Sequence, residues 1–508
     1  MSTLLPPAQK LRVTQTLAKL SLAKLDNHDA LIIVVPESLS NAQWESLPDG
    51  SKLQNLLKRA KKHGTKKRIR SHLGNDAATS ITLAELSNKT DWPESFELLS
   101  IAREIVSEAL QDKPVSLALA VSGFSSAQTA ELHKALLLAA FAIDFKMPVF
   151  RSNNNKQARL KKITIFGKAP AKLIERASIE AESLNLTRWL TALPSNVLDA
   201  SNYRKAIRGL AKDNHWQMKF HNEAALKKLG AGAFLAVSQG NARSDAGIVH
   251  LKYRPGKVGN APELALVGKG IIFDTGGTNL KPFKSMLDMH EDMAGSAVAL
   301  GTMLALSKLK VTFAIDCWLA ITENRNSAKA YKSRDIVTAA NGTTIEVIHT
   351  DAEGRMALAD TLALAGEKKP KLIMDFATLT GTCVSALTDR YSGGFSNRDT
   401  LHSSIIAAGR ASGERVWTFP MDKDFDEELR SRNADVLQCA VGGGGDHIQA
   451  ARFLQRFVPK DSAWIHIDLS SASRGGGLAQ VPGGPTGFGV RFNLELLLDQ
   501  KILAGLKN

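Results

Sequence analysis

Two short stretches constrain this chain more than anything else in it: VGKGIIFDTGGTNLK at residues 267–281 and HTDAEGR at residues 349–355. They set three acids, Asp274, Asp351 and Glu353, and two lysines, Lys269 and Lys281, in apolar or glycine-rich surroundings, and Asp292 adds a fourth acid shortly afterwards. Isolated charges are costly in such settings, so groups like these are expected to converge. Oxygen-rich clusters of this kind hold divalent cations. The chain must therefore bring together segments that lie far apart in sequence.

With 508 residues, 44% hydrophobic and 23% charged, two globular domains are expected. LIIVVP (31–36), SLALAVSG (116–123) and KKITIFG (161–167) read as buried strands, and 47–64 and 126–143 have helical spacing. This α/β layering gives an N-terminal domain over 1–168, with an exposed loop at RSNNNKQARLKK (151–162). A linker helix over 169–193 follows, closed by Pro194, and a larger C-terminal domain covers 194–508. Its strand-like runs at 263–274, 311–322, 343–350, 371–380 and 463–471 are separated by helical stretches, notably 293–309 and 355–367. The expected fold class is α/β, with a mainly parallel or mixed sheet flanked by helices in each domain. The charged motifs fall at strand ends of the larger domain, where such sheets bind ligands.

Each of these residues also has a plainer reading. Asp351 and Glu353 follow a strand-like run, where alternate side chains point the same way, yet Thr350-x-x-Glu353 is also a capping-box pattern. Asp274 before Thr-Gly-Gly suits a strand-ending turn, and Asp292 suits a helix N-cap. Lys269 either snorkels to the surface or is desolvated, which lowers an amine's pKa and lets it ligate a metal. Lys281 and Arg355 are either solvated charges or fixed positive charge beside the acids.

Several classes are excluded. Cys317, Cys383 and Cys439 form no C-x-x-C pair, which argues against a zinc ribbon or a disulfide framework and fits a reducing cytoplasm. His290-Glu291 is not a zincin helix, because residue 294 is Ala. Neither G-x-S-x-G nor G-x-x-x-x-G-K-[ST] occurs, and GGGG at 442–445 reads as a loop rather than a phosphate cradle. The start of the chain does not resemble a signal peptide, and the apolar runs are too short for a membrane span.

Taken together the motifs resemble those of the M17 leucine aminopeptidases, also called cytosol aminopeptidases. The family's NTDAEGR appears as HTDAEGR, its GKGxxFDxGGxxxK as GKGIIFDTGGTNLK, and its ADMxG as EDMAG at 291–295. ATLTG stands at 377–381, and WIHIDLSS and TGFGVR resemble the closing motifs. The resemblance covers about residues 190 to 495. It implies a metalloexopeptidase that releases N-terminal residues such as leucine from peptides with a free N-terminus. Two divalent ions, zinc or manganese, would be held by Lys269, Asp274, Asp292, Asp351 and Glu353. Lys281 and Arg355 would be the catalytic pair, with bicarbonate held at Arg355. Thr378, Leu379 and Gly381 would contact substrate, and Met289 would line the pocket for the first side chain. A cytoplasmic homohexamer is also implied. His349 departs from the family's Asn, which puts substrate preference in doubt.

A different function is carried by KRAKKHGTKKRIR at 58–70, with eight Lys or Arg in thirteen positions, within a chain of net charge +15. Such a stretch is either a solvated helix end and loop or a DNA-binding patch acting through counterion release. The acids alone would also permit a two-metal phosphoesterase, against which the lysine pattern and ATLTG argue.

Overall fold

The computed structural model describes residues 4–63, 67–88, 92–152, 159–256, 259 and 261–506. The chain divides into two compact units, one of Pro7–Glu182 and Gly477–Pro482, the other of Met1–Pro6, Ser183–Gly476 and Gly483–Asn508. The 22-residue helix Ala171–Ala192 runs through the change between them. Half of the loop expected at 151–162, residues 153–158, lies outside the described residues, and Lys162 begins a strand.

The smaller unit is built on six strands: β1 (Arg12–Thr16), β2 (Ala30–Pro36), β3 (Arg68–His72), β4 (Ser80–Leu86), β5 (Ser116–Val121) and β6 (Lys162–Phe166). Their order is β1-β6-β5-β2-β4-β3, parallel except for β3, which pairs antiparallel at one edge. Every residue of β2 is buried. Ala30, Ile32 and Val34 join the helices Ser95–Ala109 and Ser126–Asp144 on one face, and Leu31, Ile33 and Val35 join Leu53 and Leu57 of the helix Gly50–Lys62 on the other. A strand covered on both faces reads as a continuous apolar run, which is why LIIVVP is legible.

Within the basic stretch 58–70, a helix ends at Lys62 and β3 begins at Arg68, with residues 64–66 outside the described residues. Four of the stretch's eight basic residues are paired: Lys61 with Glu85, Lys67 with Glu37, Arg68 with Glu104 at 2.6 Å and Glu108 at 3.1 Å, and Arg70 with Asp112. Phosphate binding here would compete with resident carboxylates.

The larger unit holds strands β7 (Gln217–Asn222), β8 (Gly247–Tyr253), β9 (Leu264–Asp274) and β10 (Ile315–Asn324). After them come β11 (Ile336–Thr338), β12 (Thr344–Glu346), β13 (Leu372–Ala377), β14 (Ser392–Ser396), β15 (Val416–Thr418), β16 (Val436–Leu437) and β17 (Ala463–Asp468). Eight of these form one sheet, ordered β15-β14-β17-β13-β9-β10-β8-β7. The central four, β17, β13, β9 and β10, are mutually parallel, and antiparallel pairs β17–β14 and β10–β8 lead to the edges. Along β9, Ala265 and Val267 pack with Met356, Ala357 and Leu358 of the helix Glu353–Gly366. The opposite face meets the helix Ala294–Lys308, where a Cβ on Gly268 would lie 2.4 Å from Ser296 Cα. Strand β12 belongs to a separate small sheet with β11 and β16 and stops at Glu346, short of the expected 343–350 run. The parallel strands β9, β10, β13 and β17 end at Asp274, Asn324, Ala377 and Asp468, and the charged motifs gather beyond those ends.

Candidate metal centre

Strand alternation puts Lys269 on the face of β9 covered by the helix Glu353–Gly366. Lys269 is 3% exposed, so the snorkelling reading does not hold. Its Nζ lies 2.9 Å from Asp292 Oδ2 and 2.9 Å from Glu353 Oε1, and it donates to the Thr378 carbonyl at 2.9 Å. A Cβ on Gly354 would sit 2.6 Å from Lys269 Cε and Nζ, so the glycine in DAEGR is the space this lysine occupies.

At the end of β9 the chain turns sharply. Gly276, at φ 85°, donates its N–H to Asp274 Oδ1 at 2.8 Å, a backbone conformation that glycine adopts without strain. The Lys281 N–H closes the loop on the Thr275 carbonyl at 2.9 Å. Lys281 Nζ then reaches Asp274 Oδ2 at 2.9 Å and Asp351 Oδ1 at 2.5 Å. Asn324, register partner of Asp274 on β10, donates to Asp274 Oδ1 at 2.8 Å and to the Thr350 carbonyl at 3.0 Å.

Asp351 and Glu353 do not converge through strand alternation. Asp351 sits in a turn and Glu353 opens a helix whose N-cap is Ala352. The buried Gln438 causes this: its Oε1 accepts from the N–H groups of Ile348 and His349, and its Nε2 donates to the Ala352 carbonyl. Backbone groups that would otherwise continue a ladder are thereby satisfied. The capping-box reading of Thr350 does not hold, because its hydroxyl donates to the Gly276 carbonyl at 2.6 Å and accepts from the Asn279 N–H. Asp292 is likewise no N-cap. Met293 holds that position, and Asp292 Oδ1 accepts from the Thr378 hydroxyl at 2.7 Å.

The result is a cluster of four carboxylates facing two ammonium groups. Oxygens of Asp274, Asp351 and Glu353 approach to within 4.8 Å of one another. Asp292 joins them through Lys269, which bridges it to Glu353. Burial, with the charge of Glu353 beside it, raises the Asp274 carboxyl well above its ordinary range. Burial outweighs the pull of Lys269 and pushes Asp292 up to about 6. Burial opposes ionisation of Glu353 too, but Lys269 and Lys281 outweigh it and hold that carboxyl low. Both lysines lie above their ordinary range, because the surrounding acids overcome the effect of burial. Asp292 Oδ2 faces the Lys269 ammonium and Asp351 Oδ1 the Lys281 ammonium, and neither oxygen has another donor among the described residues. Four carboxylates set against two ammonium groups leave an excess of negative charge and of oxygen ligands, which is the donor set a hard divalent cation requires, so these residues fit metal ions.

A cleft of about 310 Å³ opens beside the cluster, lined by Lys281, His349, Asp351, Arg355, Leu379 and Gly381, among others. His349 is exposed, and its Nδ1 accepts from the Asp351 N–H at 3.3 Å. The N–H groups of Leu379 and Thr380 are held by Asp468 Oδ1, and the Thr380 hydroxyl by Oδ2 at 2.6 Å. Gly381 starts a short helix, and a Cβ there would meet nothing within 4 Å. Thr378 touches Asp292 and Lys269 and is not among the described residues lining the cleft. Met289 lies three residues before Asp292 in a short 3-10 turn and is not among the described residues lining the cleft.

Arg355 is 2% exposed. Its Nη2 donates to both carboxylate oxygens of Asp446 at 2.8 Å, and Nη1 reaches the Gln438 carbonyl at 3.4 Å. Asp446 opens the helix Asp446–Gln455 directly after the glycines at 442–445, of which Gly443 and Gly445 have positive φ. Sequence reasoning missed Asn324, Gln438, Asp446 and Asp468, all carried to the site by elements remote from the two motifs.

Residues 185–494 match the cytosol aminopeptidase family, catalytic domain. A probable cytosol aminopeptidase of Rickettsia bellii is 33% identical over 87% of this chain and 89% of its own length. That of Syntrophotalea carbinolica is 42% identical over 64% of this chain, an alignment spanning 65% of that relative. Among solved structures, a mutant of tomato leucine aminopeptidase superposes with TM-score 0.84 at 26% identity, covering 97% of this chain and 98% of that one. The bottromycin maturation enzyme BotP in complex with Mn gives 0.78 at 27%, covering 93% and 99%. The chain belongs to the cytosol aminopeptidase family, peptidase M17.

Proposed function

We propose that this chain is a metal-dependent aminopeptidase that removes N-terminal residues, leucine and its like, from peptides with a free amino terminus. The observation that carries the reading is the convergence of Asp274, Asp351 and Glu353 within 4.8 Å, flanked by Lys269, Lys281 and Asp292. Asp274, Asp292, Asp351 and Glu353 would hold two divalent ions, zinc or manganese, and Lys269 would join them as the neutral amine left when a bound cation displaces its proton. When bound, such a pair polarises a carbonyl and lowers the pKa of a shared water from near 15.7 toward about 7.

The chain's own residues supply the rest. Lys281 is fixed as an ammonium between Asp274 and Asp351 and lines the cleft. It would stabilise the negative charge that develops on the substrate carbonyl oxygen. Leu379 and Gly381 would flank the substrate backbone, on a loop that Asp468 holds rigid. Thr378 would act behind them, orienting Asp292 and accepting from Lys269. Met289 would border the pocket for the first side chain. The catalytic unit would be the C-terminal domain, 194–508. No helix among the described residues is long and apolar enough to cross a membrane. A cytoplasmic location completes the reading.

Incubating purified, metal-loaded protein with a defined peptide and following products by mass spectrometry tests this. Residues lost one at a time from the amino terminus support it, and internal cleavage or an intact peptide contradicts it. The homohexamer that the resemblance implies is part of the same proposal. Sedimentation velocity should show an assembly, and a species of one chain's mass, 54.8 kDa, would oppose it.

His349 lines the cleft directly before Thr350 and Asp351, where the family carries Asn. Replacing it with asparagine should shift the ranking of aminoacyl-p-nitroanilide substrates by kcat/KM, with metal content unchanged. An unchanged ranking would remove His349 from the determinants of preference.

A further inference from the structure

We infer that Asp446 is a built-in occupant of the anion position at Arg355, so that this enzyme neither binds nor needs bicarbonate there. The inference rests on the aminopeptidase reading above for the activity it concerns. A guanidinium offers two forks for a small oxyanion, Nη1–Nη2 and Nε–Nη2, and both include Nη2. In this chain Nη2 is engaged by both oxygens of Asp446 at 2.8 Å each. Nη1 is directed at the Gln438 carbonyl at 3.4 Å, and Nε, buried with no partner among the described residues, can clasp an oxyanion only in the fork that shares Nη2. Any planar oxyanion approaching Arg355 from the cleft therefore meets a carboxylate already in place.

The surroundings hold Asp446 there. It is the first residue of the helix Asp446–Gln455, where the helix dipole favours negative charge. The next residue anchors that end, since the His447 N–H donates to the Thr382 hydroxyl at 3.0 Å and the His447 ring lies 3.1 Å from the same oxygen. The preceding glycines, Gly443 at φ 100° and Gly445 at φ 77°, let the chain turn into the helix directly over the cleft. Arg355 is itself rooted in the first turn of the helix Glu353–Gly366. Both partners thus stand on rigid elements. Bicarbonate does not fit at a fork that the protein fills with its own carboxylate, so no step of the reaction is assigned to it. Asp446 is a positioning residue: it fixes the guanidinium and sets the charge at the mouth of the cleft.

The test uses metal-loaded full-length enzyme in buffer purged of carbon dioxide, with bicarbonate added back. Two readouts are taken: peptidase turnover, and carbon NMR line width of isotope-labelled bicarbonate. Wild-type turnover is expected to stay within about twofold on addition, with no line broadening. Asp446→Ala opens the fork, so its lowered turnover should rise about tenfold with bicarbonate, saturably, and the labelled line should broaden. Asp446→Asn still fills the space without the charge and should be lowered and unresponsive. Stimulation of the wild type, or broadening by it, overturns the inference, as does a folded Asp446→Ala that bicarbonate neither rescues nor binds. If Asp446→Ala does not fold, the wild-type and Asp446→Asn line widths decide. Wild type inactive under every condition would instead sink the aminopeptidase reading, and the line width would still judge this one.

Discussion

Replacing Lys281 with alanine is expected to lower turnover about 100- to 1,000-fold while leaving the metal content of the protein unchanged. Lys281 sits between Asp274 Oδ2 at 2.9 Å and Asp351 Oδ1 at 2.5 Å, with its side chain 14% exposed, and it lines the cleft. A cation held by two carboxylates keeps its charge and its place without further reorganisation when negative charge develops on a substrate oxygen. Donors preorganised in this way contribute about 2.7–4 kcal/mol to the transition state. The acids that would bind metal remain after the substitution, which separates this effect from loss of the metal. Steady-state kinetics with elemental analysis of the same sample checks it. Turnover within about twofold of wild type would remove Lys281 from the reaction.

Asp274→Asn is expected to abolish activity at metal concentrations that saturate the wild type, and to lower the metal bound per chain. Asp274 accepts from the Gly276 N–H and Asn324 Nδ2 on one oxygen and faces Lys281 on the other. Every one of these neighbours is a donor, so an amide NH₂ in either orientation faces a donor rather than an acceptor. A buried polar group left unsatisfied costs about 1–3 kcal/mol. The lost charge also removes a carboxylate proposed to hold the ions. Elemental analysis and thermal melting separate the two effects: metal should fall in protein that remains folded. Wild-type metal content and turnover would show that Asp274 is a turn residue and nothing more.

The charged half of the site was legible because each residue violates its surroundings. A lysine inside GKGIIF or acids in HTDAEGR have no apolar rationale, and the structure gathers Lys269, Asp274, Lys281, Asp292, Asp351 and Glu353 into one cluster. The supporting half was not legible. Asn324 meets Asp274 because β10 lies beside β9, and Asp468 meets Thr380 because β17 lies beside β13. Strand order of that kind leaves no local mark. Gln438 and Asp446 look like ordinary surface polar residues in sequence, and only their partners give them roles. The same contrast runs through the fold. β2 and β5 announce themselves as apolar runs, whereas edge strands such as β1 (RVTQT), β3 (RIRSH) and β7 (QMKFHN) are half polar and carry no apolar run to single them out. β4 carries the buried Glu85, whose partner Lys61 is invisible to a reading of SITLAEL alone. The run at 343–350 read as a strand through to Thr350 because its apolar spacing continues past Glu346, where Gln438 diverts the backbone.

The central claim is that the carboxylate cluster binds two metal ions that make the chain an aminopeptidase. The most direct measurement is a titration of chelator-stripped protein with manganese, reading bound metal per chain alongside hydrolysis of leucine p-nitroanilide and its N-acetylated counterpart. The account predicts no activity in stripped protein, activity that rises with bound metal and levels off as the second ion binds, and no cleavage of the acetylated substrate. Full activity without metal, or equal cleavage of both substrates, would contradict it.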